Sequence, residues 1–203
     1  SAAAAKGSVR AQTVNVISDV SAITTLLGFG VSGGLVAVNG IVVLGFNWAT
    51  NYAAIYRANV QANTITVSAI LTGDTTVVST SLVAGGVAAG ATVALSLIKS
   101  SNVALVDLTG STVQAGTLNV NAGTVAKPYS SQAITTVVTG KAGAIAASLN
   151  LAFAVNAATN TAHVTGTSGT LNATNVNLYA DGNTRAYSII ANASVAAVAI
   201  NIS

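Results

Sequence analysis

Apolar and small or polar residues alternate along several stretches of this chain, and the clearest stretch is SLNLAFAVN at 148–156. A period of two is typical of β-strands, since successive side chains point to opposite faces of a sheet. We therefore predict a strand in which Leu151, Phe153 and Val155 are buried and Asn150 and Ala152 lie on the other face. The same alternation occurs in two earlier stretches, with large residues at Val93, Leu95 and Leu97 and at Val42, Leu44 and Phe46.

One nine-residue phrase recurs four times. Its copies are SVRAQTVNV at 8–16, NVQANTITV at 59–67, TVQAGTLNV at 112–120 and TLNATNVNL at 170–178. The matching positions Val9, Val60, Val113 and Leu171 are 51, 53 and 58 residues apart. Agreement at several positions in four copies indicates tandem duplication. We predict one repeat domain over 1–203, with units at approximately 10–62, 63–115 and 116–173 and a partial unit at 174–203.

Three similar tripeptides, ending in Asn51, Asn102 and Asn160, each follow a long apolar run. Asparagine tolerates the left-handed backbone of a tight turn, and its amide can stack on an identical amide one strand away. We therefore expect corners of the fold here. A row of asparagines that binds a polar ligand is the functional alternative.

Strands at a fixed period, with Gly and Asn between them, predict an all-β chain and specifically a β-solenoid, similar to a parallel β-helix. At about 3.3 Å per residue, a 53-residue coil has a perimeter of roughly 175 Å, which a simple coil cannot enclose without a void. We expect two coils per repeat, or one coil with a hairpin. The small-residue runs around Gly33-Gly34, Gly85-Gly86 and 141–147 should stack into a stripe that is covered within the coil or by a neighbouring shaft.

Composition narrows the chemistry. Only 5% of the residues are charged, Cys and Met are absent, and the four acids are scattered. His163 is the only histidine, so a metal role would lack partners within the chain. We expect a chain that is not an enzyme and has no catalytic, cofactor-binding or metal-binding residues. The seven Lys and Arg residues form no cluster, which argues against nucleic-acid binding.

Two features admit a second interpretation. Residues 26–46 are free of charge and contain Gly30-x-x-x-Gly34, which fits a transmembrane helix by length. Their Gly and β-branched residues favour a strand instead. Trp48 and Tyr52 could stack on a carbohydrate, although covering the end of the core is the interpretation we favour.

The repeats resemble those of giant secreted bacterial surface proteins, the leukotoxin-like filamentous adhesins and filamentous-haemagglutinin-type proteins. The resemblance lies in the Ala/Gly-rich runs, the alternation at 148–156, the Asn-Thr corner and the phrase TLNVNA at 117–122. It implies a parallel-β shaft that is displayed outside the cell and has no catalytic residues. The chain shows no secretory signal, so we expect a mature or excised piece of shaft.

We therefore expect a noncatalytic structural or adhesive segment of an extracellular bacterial filament or surface adhesin. A membrane-active cytotoxin module and a pilus-type subunit that donates its N-terminal strand are the alternatives. Expected partners are further copies or repeats joined through open strand edges, and a receptor on a host or neighbouring cell; membrane contact is not expected. The C-terminal run VAAVAINIS at 195–203 is expected to continue into another repeat or subunit.

Overall fold

In the computed structural model, which describes residues 7–123 and 131–203, every ladder between strands of the described residues is parallel. The strands form one open sheet, in the order β6-β4-β3-β5-β7 with β1 and β2 also paired to β3. The all-β, solenoid-like prediction is confirmed. Lys6, Lys127 and Pro128 lie outside the described residues.

The described part of the chain forms seven strands, which make four coils. The first coil contains β1 (Ser8–Arg10) and β2 (Thr13–Tyr56), the second β3 (Asn59–Asp107), the third β4 (Thr112–Ala122) and β5 (Ser131–Thr165), and the fourth β6 (Thr170–Ala180) and β7 (Thr184–Ile202).

The recurring phrase sets the register between coils. Val9 pairs with Val60, Val60 with Val113 and Val113 with Leu171, as the sequence match predicts. One repeat therefore makes one rung of the sheet. Of the two predicted alternatives, two coils per repeat is wrong, and a single coil with a hairpin has the correct number of coils.

Each coil avoids a central void by folding flat. We call residues 18–51, 69–102, 131–160 and 184–202 the arch, and the rest of each coil the base. The two arms of the arch face each other through side chains, and no backbone ladder joins them within 7–123 and 131–203. Asn47 of one arm donates its amide to the carbonyl of Ala22 on the other at 2.7 Å, and Thr135 donates to the carbonyl of Phe153 at 2.6 Å. Single side chains thus span the gap between arms.

The base encloses an aliphatic core. Every second residue of the recurring phrase points inward. These residues pack against the segments that end each coil, such as 104–108 in the second coil. The largest fully buried members are Ile65, Val67, Val113, Leu118 and Val120, joined by Val106.

The tip of the arch is a column of glycines. Gly34 has a φ of 144°, a conformation that L side chains rarely adopt. It pairs with Gly85, where an added Cβ would collide with the carbonyl oxygen of Gly34 in the next coil. The small-residue runs therefore stack as predicted, and Ala88 and Ala146 are fully buried within the coils.

Residues 26–46 lie inside β2, so the transmembrane-helix alternative for this segment is wrong. Across 7–123 and 131–203, no helix long and apolar enough to cross a membrane is found.

Candidate functional site

The outer surface of the arch carries a grid of large apolar side chains, which we call the outer plate. Three adjacent strands contribute three residues each, and partners stand opposite one another in the register. The plate consists of Val42, Leu44, Phe46, Val93, Leu95, Leu97, Leu151, Phe153 and Val155.

The plate overturns the predicted orientation of the alternating strand. Phe153 is 50% exposed and Val155 is 43% exposed, whereas Asn150 is completely buried. The prediction that Leu151, Phe153 and Val155 form the core is therefore wrong. A period of two identifies two faces, but it does not say which of them is inside.

The narrow space between the arms explains the inversion. A side chain that points inward meets the opposite arm at once, so the inner positions hold mainly small residues such as Ala94 and Ser96, together with valines such as Val43. At Gly28, an added Cβ would collide with the side chain of Val43 on the other arm. Valines such as Val77 and Val137, and Ile98, also fit inside and are completely buried there, whereas the aromatic side chain of Phe153 lies outside.

The second coil lines the space between the arms with hydroxyl groups. Thr75 and Ser79 on one arm and Thr92 and Ser96 on the other are buried, and their hydroxyls have no hydrogen-bond partner among the described residues. Burying an unpaired hydroxyl costs free energy, so the inside of the arch is less stabilising than an aliphatic core.

A ladder of asparagine amides marks the junction of arch and base. Asn51 donates to the side-chain oxygen of Asn102 at 3.1 Å, and Asn102 donates to that of Asn160 at 3.1 Å. Asn102 also donates to the carbonyl of Ala69 at 2.8 Å. The predicted amide stacking is confirmed.

These asparagines are not turn residues, however. They lie within β2, β3 and β5, and the described non-glycine residues with positive φ are Arg57 and Ser168. Asn51 and Asn102 are almost completely buried and their amides are already bonded. The ladder therefore serves packing, and the alternative of a ligand-binding row does not fit Asn51 and Asn102.

Lys141 is a buried cation that the sequence did not single out. Its side chain lies inside the arch near the tip, where Nζ donates to the carbonyl of Ala147 at 2.5 Å and to that of Gly90 at 3.3 Å. Burial lowers the pKa of Lys141 below its ordinary value. The sequence pattern carries no signal for this burial, because a charged residue in a small-residue run does not show to which side its side chain points.

Asp107 fixes the end of the second coil. Its carboxylate accepts hydrogen bonds from the Thr109 hydroxyl at 2.6 Å and the Thr109 backbone N–H at 2.8 Å, and from Arg57 Nε at 3.4 Å. The Thr109 bonds, more than Arg57, hold the pKa of Asp107 below its ordinary value. This acid closes a turn.

The remaining sequence candidates are dispersed. Among the described residues, no group of three or more His, Cys, Asp or Glu could hold a metal ion. His163 pairs in register with Leu105, and its buried Nδ1 has no hydrogen-bond partner among the described residues.

The two aromatic candidates, Trp48 and Tyr52, point outward. Trp48 is 74% exposed, and its ring centroid lies 6.4 Å from that of Phe46. Trp48 therefore extends the border of the outer plate, and the interpretation that it covers the end of the core is wrong.

Open edges complete the surface. The first coil pairs with β3 on one side only, and the last pairs β6 with β4 and β7 with β5. Because the ladder between β5 and β7 ends at Leu149 and Ile202, residues 150–165 of β5 are paired to β3 alone. Backbone groups along these edges are free to pair with another strand.

Comparison of the chain with protein-family models, with curated proteins and with solved structures found no match.

Proposed function

We propose that this chain is a noncatalytic structural module, a length of β-solenoid shaft that extends by pairing its open edge strands with further coils. The observation that carries the proposal is the edge formed by β2. This strand runs from Thr13 to Tyr56 with Asp19 as its sole charged residue and with no proline.

An edge of this kind is unusual for a protein that remains separate. Natural sheets protect their edges with short strands, lysines, prolines or bulges, because an open edge recruits other strands. The edge of β2 is 44 residues long and has none of the first three protections. Pairing with another coil would satisfy its free backbone groups.

The stacked rows favour a coil of the same kind as the partner. Asn51, for example, ends an amide ladder that an asparagine of an added coil could continue. The described titratable groups with shifted pKa values are held in structural contacts, since Asp107 closes a turn, Lys141 bonds to carbonyls and Tyr179 donates to its neighbour Asp181 at 2.8 Å. Both features support a structural role over a catalytic one.

The resemblance to secreted filamentous adhesins supports placing the shaft outside a bacterial cell, where it would present an adhesive surface. This setting is part of the proposal and rests on the repeat phrases, such as TLNVNA at 117–122.

End-to-end extension is tested by electron microscopy and fibre diffraction of the purified chain at rising concentration. We expect filaments with a reflection at about 4.8 Å along the fibre axis, the spacing between paired strands. Particles that stay discrete and monomeric at high concentration would contradict the proposal.

A matched pair of variants locates the growing edge. Thr25 and Thr76 occupy the same outer row, but Thr25 lies on the edge coil and Thr76 one coil further in. A lysine on an edge strand opposes pairing. Thr25→Lys should raise the concentration needed for filaments several-fold, and Thr76→Lys should leave it unchanged; equal effects would place the growing edge elsewhere.

A further inference from the structure

We propose that the outer plate is a lateral docking face for a second copy of this chain, so that two solenoids pair side by side. This contact is separate from end-to-end extension, since it uses side chains of the sheet face and leaves the strand edges free.

The plate is built in rows. Leu44 pairs with Leu95 and Leu95 with Phe153, so the central row holds three large side chains on consecutive rungs. The rows on either side hold Val42, Val93 and Leu151, and Phe46, Leu97 and Val155. The result is an apolar face three strands wide and three outward positions long.

Size is the first argument for a protein partner. Val42 is 67% exposed, and the other plate residues are partly to half exposed. With its flanking outward residues Val38 and Leu149, the plate presents on the order of 700 Å² of apolar surface, close to the roughly 800 Å² that each partner contributes to a standard interface. Apolar patches of this extent mark interaction sites.

Spacing is the second argument. A second copy carries the same rows at the same distance between rungs, so side chains of two plates can interdigitate as in packed sheets. A two-fold axis through the plate would place identical patches against each other, the usual geometry of homodimers. Each added rung that carries the same rows would lengthen the contact.

Charge is the third argument, and it favours a second copy over a membrane. The segments 36–46, 87–97 and 145–155, which hold the whole plate, contain no charged residue. Two plates therefore meet without like-charge repulsion. Binding to an anionic lipid surface draws on clusters of Lys and Arg, whereas Lys99 is the single cation in the row that adjoins the plate.

Cross-linking tests the contact directly, because the chain has no cysteine and each variant carries one thiol. Leu95→Cys places the thiol at the centre of the plate. Val78→Cys is the matched control, since Val78 is a partly exposed outward residue of the same coil on the opposite arm. With a bismaleimide that spans about 10 Å, the distance between packed sheets, Leu95→Cys should give mainly linked dimers and Val78→Cys few. Equal yields would overturn the proposal.

A charge at the same position provides the second test. In sedimentation velocity, Leu95→Lys should weaken the side-by-side association at least tenfold, and Val78→Lys should leave it unchanged. Both variants should keep the far-ultraviolet circular dichroism of the parent, since both positions face outward. A folded Leu95→Lys protein that associates as the parent does would contradict the proposal.

Filament width separates this proposal from end-to-end extension. Leu95→Lys should give narrower filaments of unchanged length, whereas Thr25→Lys should give shorter filaments of unchanged width. Vesicles of phosphatidylcholine with phosphatidylserine are the competing target. The plate is a lipid face, and the proposal is wrong, if the parent chain stays monomeric without vesicles and binds to vesicles in a way that Leu95→Lys abolishes.

Discussion

The base and the arch are made from the same coils, yet they differ in what they hold inside, since the base encloses large aliphatic residues and the arch mixes valines with buried hydroxyls and small residues. In the base, Ile65 and Val67 point inward while Gln61 and its row partner Gln114 lie outside. In the arch, Ser79 is inside and Leu95 outside. The difference teaches that the width of the enclosed space, and not the alternation itself, decides which face becomes the core.

The width follows from topology. In the base, the strands that carry the recurring phrase and the segments that end each coil surround one aliphatic cluster. This cluster has room for Ile65 and Leu118. The arch brings two arms directly together, so side chains such as Asn47 reach the backbone of the opposite arm. The space between the arms holds small residues, valines and Ile98, whereas residues such as Leu95 and Phe153 lie outside and form the outer plate, which is available for association.

The largest expected effect contrasts the two interiors. Ile65→Ala should lower the free energy of unfolding by about 2–5 kcal/mol, because it leaves a cavity in a packed aliphatic core. Ser79→Ala should change it by less than about 1 kcal/mol in either direction, because it removes a hydroxyl without a partner. Urea denaturation of both variants measures the contrast. Similar losses would mean that the arch interior is packed like the base.

The asparagine ladder at the junction should give the next largest effect. Asn102→Ala removes the donor to the Asn160 side-chain oxygen from a buried amide row, at a cost of about 1–3 kcal/mol. The Asn51 amide keeps its bonds to the carbonyls of Ser18 and Ile70, and the Ala69 carbonyl keeps the Gly123 N–H.

The outer ladder of the base provides the control. Asn119 accepts from Asn177 at 2.9 Å on the outer side of the base, so Asn119→Ala should cost less than about 0.5 kcal/mol. Thermal denaturation compares the two, and equal costs would show that the buried ladder has no special role.

Lys141 makes the stability of the arch depend on pH. Its pKa is lowered by burial, so between this lowered pKa and the ordinary value of 10.5 the unfolded chain binds more protons than the folded one. Stability should therefore rise as the pH rises through this window. Lys141→Met should remove this part of the slope, and Lys99→Met, at an exposed position, should keep it. Denaturant midpoints across pH provide the test; identical slopes in the parent and Lys141→Met would refute it.

The smallest effect concerns the outside of the arch. Phe153→Asp should lower the stability of the isolated coil stack by about 1 kcal/mol and leave it folded, because half of the Phe153 side chain is already exposed. Val137→Asp, on the inner side of the same coil, should prevent folding because it buries an unpaired charge. Circular dichroism distinguishes the two variants. Loss of folding in Phe153→Asp would mean that the strand has the opposite orientation, with Phe153 inside the arch.

The sequence was sufficient for the fold class and for the register. The register followed from the repeated phrase, since matching residues such as Val60 and Val113 stack on one another. The orientation of the arch could not be predicted, because alternation is symmetric between its two faces. The burial of Lys141 was missed for a related reason, since a charged residue in a small-residue run gives no direct sign of the side to which it points.

Two neighbouring valines test the inverted arch most directly. Val42 is 67% exposed on the outer plate, and Val43 is 9% exposed between the arms. Val42→Cys and Val43→Cys each introduce the only thiol of the chain, so the rate of thiol modification in dilute solution reports the orientation of each position. The inverted arch predicts rapid modification at 42 and modification slowed at least a hundredfold at 43. Equal rates, or faster modification at 43, would contradict it.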